Sequence, residues 1–210
     1  MVKLFASSVL AILFIFSVSD LRMNMSKILL LGVTIVLAFF PAYAQVDANR
    51  SSVVVVSKQM GVAVEGRFKR FSAQVNFDPS KPASGSARVE MDIGSFDLGG
   101  EEFNREALNA EWLDVARYPK SVFVSEAIRP VGAGRFEATG KLSLKGTTLP
   151  VVIPFVVRDE AGQQVFEGSL PIRRLQYRVG DGAWKDTATV ADEVVIKFKI
   201  LNLKQTSKKQ

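Results

Sequence analysis

From Arg135 to Lys145 the chain alternates without a break: Phe136, Ala138, Gly140, Leu142 and Leu144 take one set of positions, and Arg135, Glu137, Thr139, Lys141, Ser143 and Lys145 the other. Successive strand side chains point to opposite faces, so this run spells one dry face and one wet face. The same phase returns as Phe71, Ala73, Val75, Phe77, as Val89, Met91, Ile93, and as Val194, Ile196, Phe198, Ile200, each set against polar neighbours. Strands of this kind must bury their dry faces in one shared interior. Small residues on those faces, Ala73, Ala138, Gly140 and Gly168, leave room in the middle of a barrel, and a hollow apolar interior suits a lipid or another greasy ligand.

Ahead of these strands stand two apolar stretches, Leu4 to Val18 and Ile28 to Phe40, divided by Asp20, Arg22, Asn24, Ser26 and Lys27. The second reads as a signal peptide: Met25 and Lys27 give a short basic start, and Ala42-Tyr43-Ala44 a small-x-small cleavage site, so that the exported protein begins at Gln45. Residues 1–24 are then an upstream extension, with Met23 or Met25 as the true start; alternatively Leu4 to Val18 is the leader, cut after Ser17-Val18-Ser19. A membrane hairpin is the third reading, but both runs fall short of the roughly 20 apolar residues a span needs. This divides the chain into residues 1–44, extension and signal peptide, and residues 45–210, one domain destined for the periplasm.

Gln45 to Gln210 carries 24 basic and 20 acidic residues, a net charge of +4. The charges lie singly on polar strand faces and not in a stripe, which argues against nucleic acid. Lys204, Lys208 and Lys209 read as a solvated tail. The chain has no cysteine and no histidine. Those absences remove Ser-His-Asp and Cys-His nucleophiles and every Cys/His zinc pattern, so no catalytic and no metal-ligating residue is assigned. Glu101 and Glu102 are adjacent and diverge in any regular element, which does not make a matched acid and base. Gly132-Ala133-Gly134 and Gly180-Asp181-Gly182 sit between strand-like runs as turns, without the helix a phosphate-binding loop requires.

Along the domain, strands are expected at Val53 to Val56, across Met60 to Phe77 with breaks at Gly61 and Gly66, at 87–93, and then at Ser121 to Ile128, Arg135 to Lys145, Thr147 to Val157, Gln164 to Arg173 and Glu193 to Leu203. The one helical stretch is Glu101 to Asp114, with Phe103, Leu108, Trp112 and Leu113 as its apolar side and Tyr118-Pro119 closing it. About eight strands suit a closed antiparallel barrel or a two-sheet sandwich. An outer-membrane barrel alternates too, but three Tyr and two Trp are too few for aromatic girdles at both interfaces.

Several strings then occur in succession: Gly66-Arg67-Phe68 with Phe77-Asp78-Pro79, Arg105-Glu106-Ala107-Leu108 ahead of Trp112-Leu113-Asp114-Val115 and Tyr118-Pro119, Gly140 to Thr148, Arg174 leading to Gly180-Asp181-Gly182-Ala183-Trp184, and Asp192-Glu193-Val194. In order and spacing they resemble the YceI-like family over nearly all of the domain. The resemblance implies an all-β fold, a lipocalin-like antiparallel barrel of about eight strands with one short helix, preceded by a signal peptide. It implies a central pocket for a polyisoprenoid chain, no other cofactor, and a quinone-related role beside an inner-membrane cytochrome b561-type partner. The oligomeric state, monomer or dimer, stays open.

Three departures accompany it. Lys58-Gln59-Met60, Arg105-Glu106-Ala107 and Lys145-Gly146-Thr147-Thr148 stand where family members often carry histidine, which withdraws any head-group contact made through imidazole. Arg105 and Arg174 remain as head-group candidates, their guanidinium forks suited to a diphosphate, or else as pins that tie loops to the barrel through carbonyls or Glu106. The expected pocket lining is Phe71, Ala73, Val75, Phe77, Val89, Met91, Ile93, Phe136, Ala138, Gly140, Leu142, Leu144, Phe155, Phe166, Leu170, Val194, Ile196 and Phe198. Trp112 and Trp184 cover the barrel end or anchor its loops. The expected function is an exported, non-enzymatic protein that holds an isoprenoid lipid of polyprenyl or quinone type; an enzyme with a carboxylate base, or a structural or stress-related partner of a membrane protein, are the rivals.

Overall fold

Alternating strands close on themselves only if the chain can turn back sharply. Turns do so with both central residues at positive φ at Met60-Gly61 (48° and 81°), Lys145-Gly146 (45° and 74°) and Ala161-Gly162 (51° and 81°), among others. This is the two-residue geometry whose twist matches that of the flanking strands. The computed structural model describes residues 46–203, Ala48 excepted. The leader reading, the boundary at Ala44 and the C-terminal lysines lie outside the described residues.

The elements run β1 (Ser52–Gln59), β2 (Val62–Phe68), β3 (Phe71–Asn76), β4 (Ser86–Asp92), β5 (Phe96–Asp97), α1 (Glu101–Leu108), β6 (Lys120–Gly132), β7 (Arg135–Leu144), β8 (Thr147–Glu160), β9 (Gln163–Arg173) and β10 (Glu193–Leu203). Ladders join them antiparallel in the order β3-β4-β6-β7-β8-β9-β10-β1-β2-β5. The two ends of that order meet. β2 continues into β3 and β4 into β5, and at the bend Lys69 N donates to Ser95 O (3.1 Å) and Asp92 N to Arg70 O (3.1 Å). Ser95, buried in the 3-10 turn between β4 and β5, accepts from Arg70 N through its hydroxyl (3.0 Å). Counting each bent pair as one stave gives eight staves in sequence order, an up-and-down antiparallel barrel.

The dry faces point inward as the alternation requires. Phe77, Phe136, Ala138, Leu142, Phe155, Phe166, Leu170 and Ile200 belong to one buried core cluster. At the β10 edge Gly168 is not a source of empty space. A Cβ there would stand 2.6 Å from the Phe198 ring and 2.5 Å from Pro154 O, so the phenyl group occupies the place of the missing side chain.

The helix is shorter than its sequence pattern. It ends at Leu108 because Asn109 leaves the helical conformation and its Oδ1 accepts from Glu111 N (3.0 Å) and Trp112 N (3.2 Å). Leu113 and Leu108 still pack inward, but Phe103 is 65% exposed, which corrects its placement on the helix's buried side. Asp97 holds the start of α1 in place: its carboxylate pairs with Lys69 Nζ (2.9 Å) and accepts from Asn104 Nδ2 (2.9 Å) and Gly99 N (3.1 Å). Those contacts, the Lys69 bond foremost, hold its pKa well below the usual carboxylate range. A depressed folded pKa stabilises the fold fully above the unfolded value, near ~4, and the contribution is lost as the pH falls toward the folded value. Acid should therefore loosen α1, and Asp97→Asn should remove that part of the pH dependence, read by amide exchange on 98–108 between neutral and acid pH.

Candidate ligand-binding site

The barrel has a closed lower end, marked by the 132–134 and 160–163 turns, and an upper end where α1, the 109–119 loop and the 174–192 segment gather. Two adjacent spaces lie inside the barrel. The inner one is about 100 Å³ and is lined by 17 residues, all apolar. The upper one, the mouth, is about 790 Å³ and mixes apolar walls with Arg105, Glu102, Glu106, Asn109, Gln59 and Ser57. Met91, Leu142 and Ile196 line both and stand at the neck, the boundary where the two spaces meet. The inner space is comparable to the ~150 Å³ cavity that admits benzene, so most of the open volume lies in the mouth and not, as the small inward residues suggested, in mid-barrel.

Of the expected lining, Val75, Phe77, Val89, Met91, Ala138, Leu142, Phe155, Phe166, Leu170, Ile196 and Phe198 border the inner space, and Leu144 and Val194 the mouth. Five do not border either space. Gly140 is pressed against its neighbour strand, where a Cβ would lie 2.2 Å from Val124 O and 2.9 Å from the Phe123 ring. Ile93 is buried in the 3-10 turn between β4 and β5. Phe71 and Ala73 pack in the core wall on β3. Phe136 lies beneath the space, in an aromatic plug with Phe77 (centroids 5.0 Å), Phe155 (5.6 Å) and, through Phe77, Phe166 (5.6 Å). Val53, Ala87, Phe123, Ile128, Ile153 and Ile200 also line the inner space without having been expected there, although Ile200 stood on one of the expected dry faces.

Arg174 is the clearest correction. It is 2% exposed, and its guanidinium donates from Nε to Ala191 O (3.1 Å), from Nη1 to Val179 O (2.9 Å) and Gly180 O (3.1 Å), and from Nη2 to Trp184 O (2.6 Å) and Val190 O (2.8 Å). A guanidinium has five N–H donors, and all five are engaged, so none is left for a diphosphate. Burial lowers its pKa, opposed by Asp192. Trp112 stacks over this group (5.5 Å) and against Trp184 (5.3 Å), so both tryptophans anchor loops while forming part of the mouth's wall.

Lys145, at one of the histidine departures, does a related task. Its Nζ donates to Glu111 O (2.8 Å) and Arg178 O (2.6 Å), and burial pushes its pKa down against the pull of Asp181 and Asp114. It ties the β7–β8 turn to both upper loops. Arg105 alone of the two arginine candidates stands exposed at the mouth, with Glu102 and Glu106 beside it on α1.

Similar proteins share this frame. The solved structure of Burkholderia cenocepacia BcnA is 49% identical, with a TM-score of 0.73 over 74% of this chain and 98% of that one. A polyisoprenoid binding domain from Saccharophagus degradans, implicated in plant cell wall breakdown, shares the fold at 17% identity, with a TM-score of 0.63 over 77% of this chain and 98% of that one. Among curated relatives, a UPF0312 protein of Azotobacter vinelandii is 35% identical over 88 residues, 42% of this chain, and one of Vibrio cholerae 32% identical over 90, 43% of this chain. The chain spans about half the length of these curated relatives, 46% and 48%. The family model for the YceI-like domain matches residues 45–201, which takes in every stave of the barrel, and the chain belongs to the YceI-like family.

Proposed function

We propose that the protein is an exported, non-enzymatic carrier that holds an isoprenoid lipid with its tail along the barrel axis and its head group in the mouth. The observation that carries this reading is the succession of a mixed polar and apolar mouth and a wholly apolar inner space ended by a phenylalanine plug, which share Met91, Leu142 and Ile196 as their boundary. The polyisoprenoid-binding neighbour supports the ligand class. Burial of the tail drives binding at about 25 cal/mol per Å² of apolar surface removed from water, less the entropy of ordering a flexible chain.

The charge at the mouth favours a quinone or alcohol head over a diphosphate. Arg105 is flanked by Glu102 and Glu106, and Arg174 has no donor to offer. A quinone cargo suits exchange with a quinone-using membrane protein of the cytochrome b561 type in the periplasm. Native mass spectrometry of protein from its own host should find an isoprenoid lipid on a chain that begins at Gln45. Protein carrying no lipid would overturn the carrier, and an intact Met1 or Met25 in a membrane fraction would overturn export.

A further inference from the structure

Strand β8 has no charged residue from Thr147 to Val157. Leu149, Val151, Ile153 and Phe155 face the core, yet the outward positions Pro150, Val152, Pro154 and Val156 are apolar as well, and Val152 is 48% exposed. The outward faces of its neighbours are charged: Arg135, Glu137 and Lys141 on β7, Glu167 and Arg173 on β9. A strand that is apolar on both faces needs cover on both.

The same strand borders a split in the wall. Its ladder with β9 pairs only Phe155–Glu160 with Gln163–Gly168. Extending that register upward sets Val152 opposite Pro171 and Ile153 opposite Leu170. Pro150 and Pro154 hold places in the β7 ladder, and Pro171 in the β10 ladder. Proline fits a ladder only where its nitrogen faces away from the partner, so all three nitrogens face the β8–β9 seam and take donors from it. Behind the seam, Ile153 and Leu170 line the inner space and Ile172 the mouth. Apolar surface therefore runs from the outside of β8, across an unlatched seam, to the barrel interior.

We propose that the β8–β9 seam is a lateral portal, docked on a lipid bilayer by the outer face of β8, through which an isoprenoid tail slides sideways between membrane and barrel. This rests on the lipid-carrier reading above. A bilayer is the occupant the chemistry fits, because, among the described residues, most of the charges around the patch are already neutralised in pairs, Lys141 with Glu126 (3.0 Å), Arg129 with Glu137 (2.6 Å), Arg173 with Asp192 (3.4 Å), and Arg158 with Glu167, which leaves Arg135, opposite Val156, as a single exposed cation. A rim with one unpaired cation offers a charged partner little to grip, while uncharged hydrocarbon continues the surface into the cavity. Sideways passage also spares the tail a transit through water.

The chain has no cysteine, so Val152→Cys with Pro171→Cys supplies two thiols on the outer faces that a short bis-maleimide staples across the seam. Thr139→Cys with Val152→Cys, register partners in the intact β7–β8 ladder, is the control staple. The probe is solanesol, a long polyprenol, offered either in detergent micelles at equilibrium or in phosphatidylcholine vesicles with the transfer rate followed. The seam staple should leave equilibrium capture intact and slow vesicle transfer by about tenfold or more, as a closed gate does, while the control staple leaves both unchanged. Val152→Glu should abolish flotation with the vesicles and keep micellar capture. Stapled transfer at the unstapled rate, undiminished flotation of Val152→Glu, or flotation that requires anionic lipid or a protein partner each overturns the portal while leaving the carrier standing. Failure of the unmodified protein to take solanesol from micelles would instead remove the carrier reading, and the portal with it.

Discussion

Arg174→Leu will cost the fold on the order of 3–5 kcal/mol, the range for removing one side of a buried charged network. The leucine replaces the side chain's bulk but leaves the carbonyls of Val179, Gly180, Trp184, Val190 and Ala191 without the donor that gathers them. These carbonyls are spread along the 174–192 segment, so one guanidinium gathers it, with the Lys145 bonds to Glu111 O and Arg178 O as a second tie. The packing is equally exacting from the other side: a Cβ at Gly180 would fall 2.1 Å from Arg174 Nη1. Arg174→Lys should recover only part of the loss, since an ammonium brings three donors where five acceptors wait. Urea titration monitored by Trp112 and Trp184 fluorescence gives the measurement. A midpoint within experimental error of the parent protein would show that the segment is held by something else.

How much of this could be read from sequence depended on phase. β7 and β10 alternate cleanly, and the inward phase of both is the one expected, with Ala138, Leu142, Ile196, Phe198 and Ile200 on the inner space. β1 carries the run Val53-Val54-Val55-Val56 and β8 is apolar on both faces, so neither displays which residues turn inward, and Val53 and Ile153 were missed for that reason. In β6 the register shifts between Ser125 and Ala127, so a phase counted from Phe123 does not predict Ile128. Arg174 illustrates a different gap. Its residue type suits a phosphate and a cage of carbonyls equally, and the five acceptors come from backbone, which carries no residue-type signature. Gly140 and Gly168 looked like vacancies because the sequence omits the rings of Phe123 and Phe198 that stand over them. The break at Lys69-Arg70 and the two-residue β5 are set by the 3-10 turn around Ser95, a tertiary feature with no local period.

The second large effect is expected at Ala138, which sits on the inner space in register between Ile128 and Ile153, below the neck. Ala138→Phe places a ring in a space of about 100 Å³ and should close it, with an overpacking cost of roughly 1–3 kcal/mol that leaves the barrel folded. If the tail runs below the neck, the variant excludes its last isoprene unit, and at about 0.8 kcal/mol per buried CH₂ the loss for a long polyprenol is on the order of a hundredfold or more. A short isoprenoid that ends in the mouth should bind as before, because Leu144 and Val194 are untouched. The contrast between long and short ligands makes the variant a gauge of depth and separates occlusion from general damage. Lys141→Ala is the outward control, since Lys141 is 61% exposed and, among the described residues, forms its ion pair with Glu126. Retention of extracted polyprenyl or quinone lipid by the folded variants, compared by mass spectrometry, is the readout. A folded Ala138→Phe protein that keeps its full complement of long-chain lipid, beside a Lys141→Ala protein that loses it, would put the ligand on the outside of the barrel.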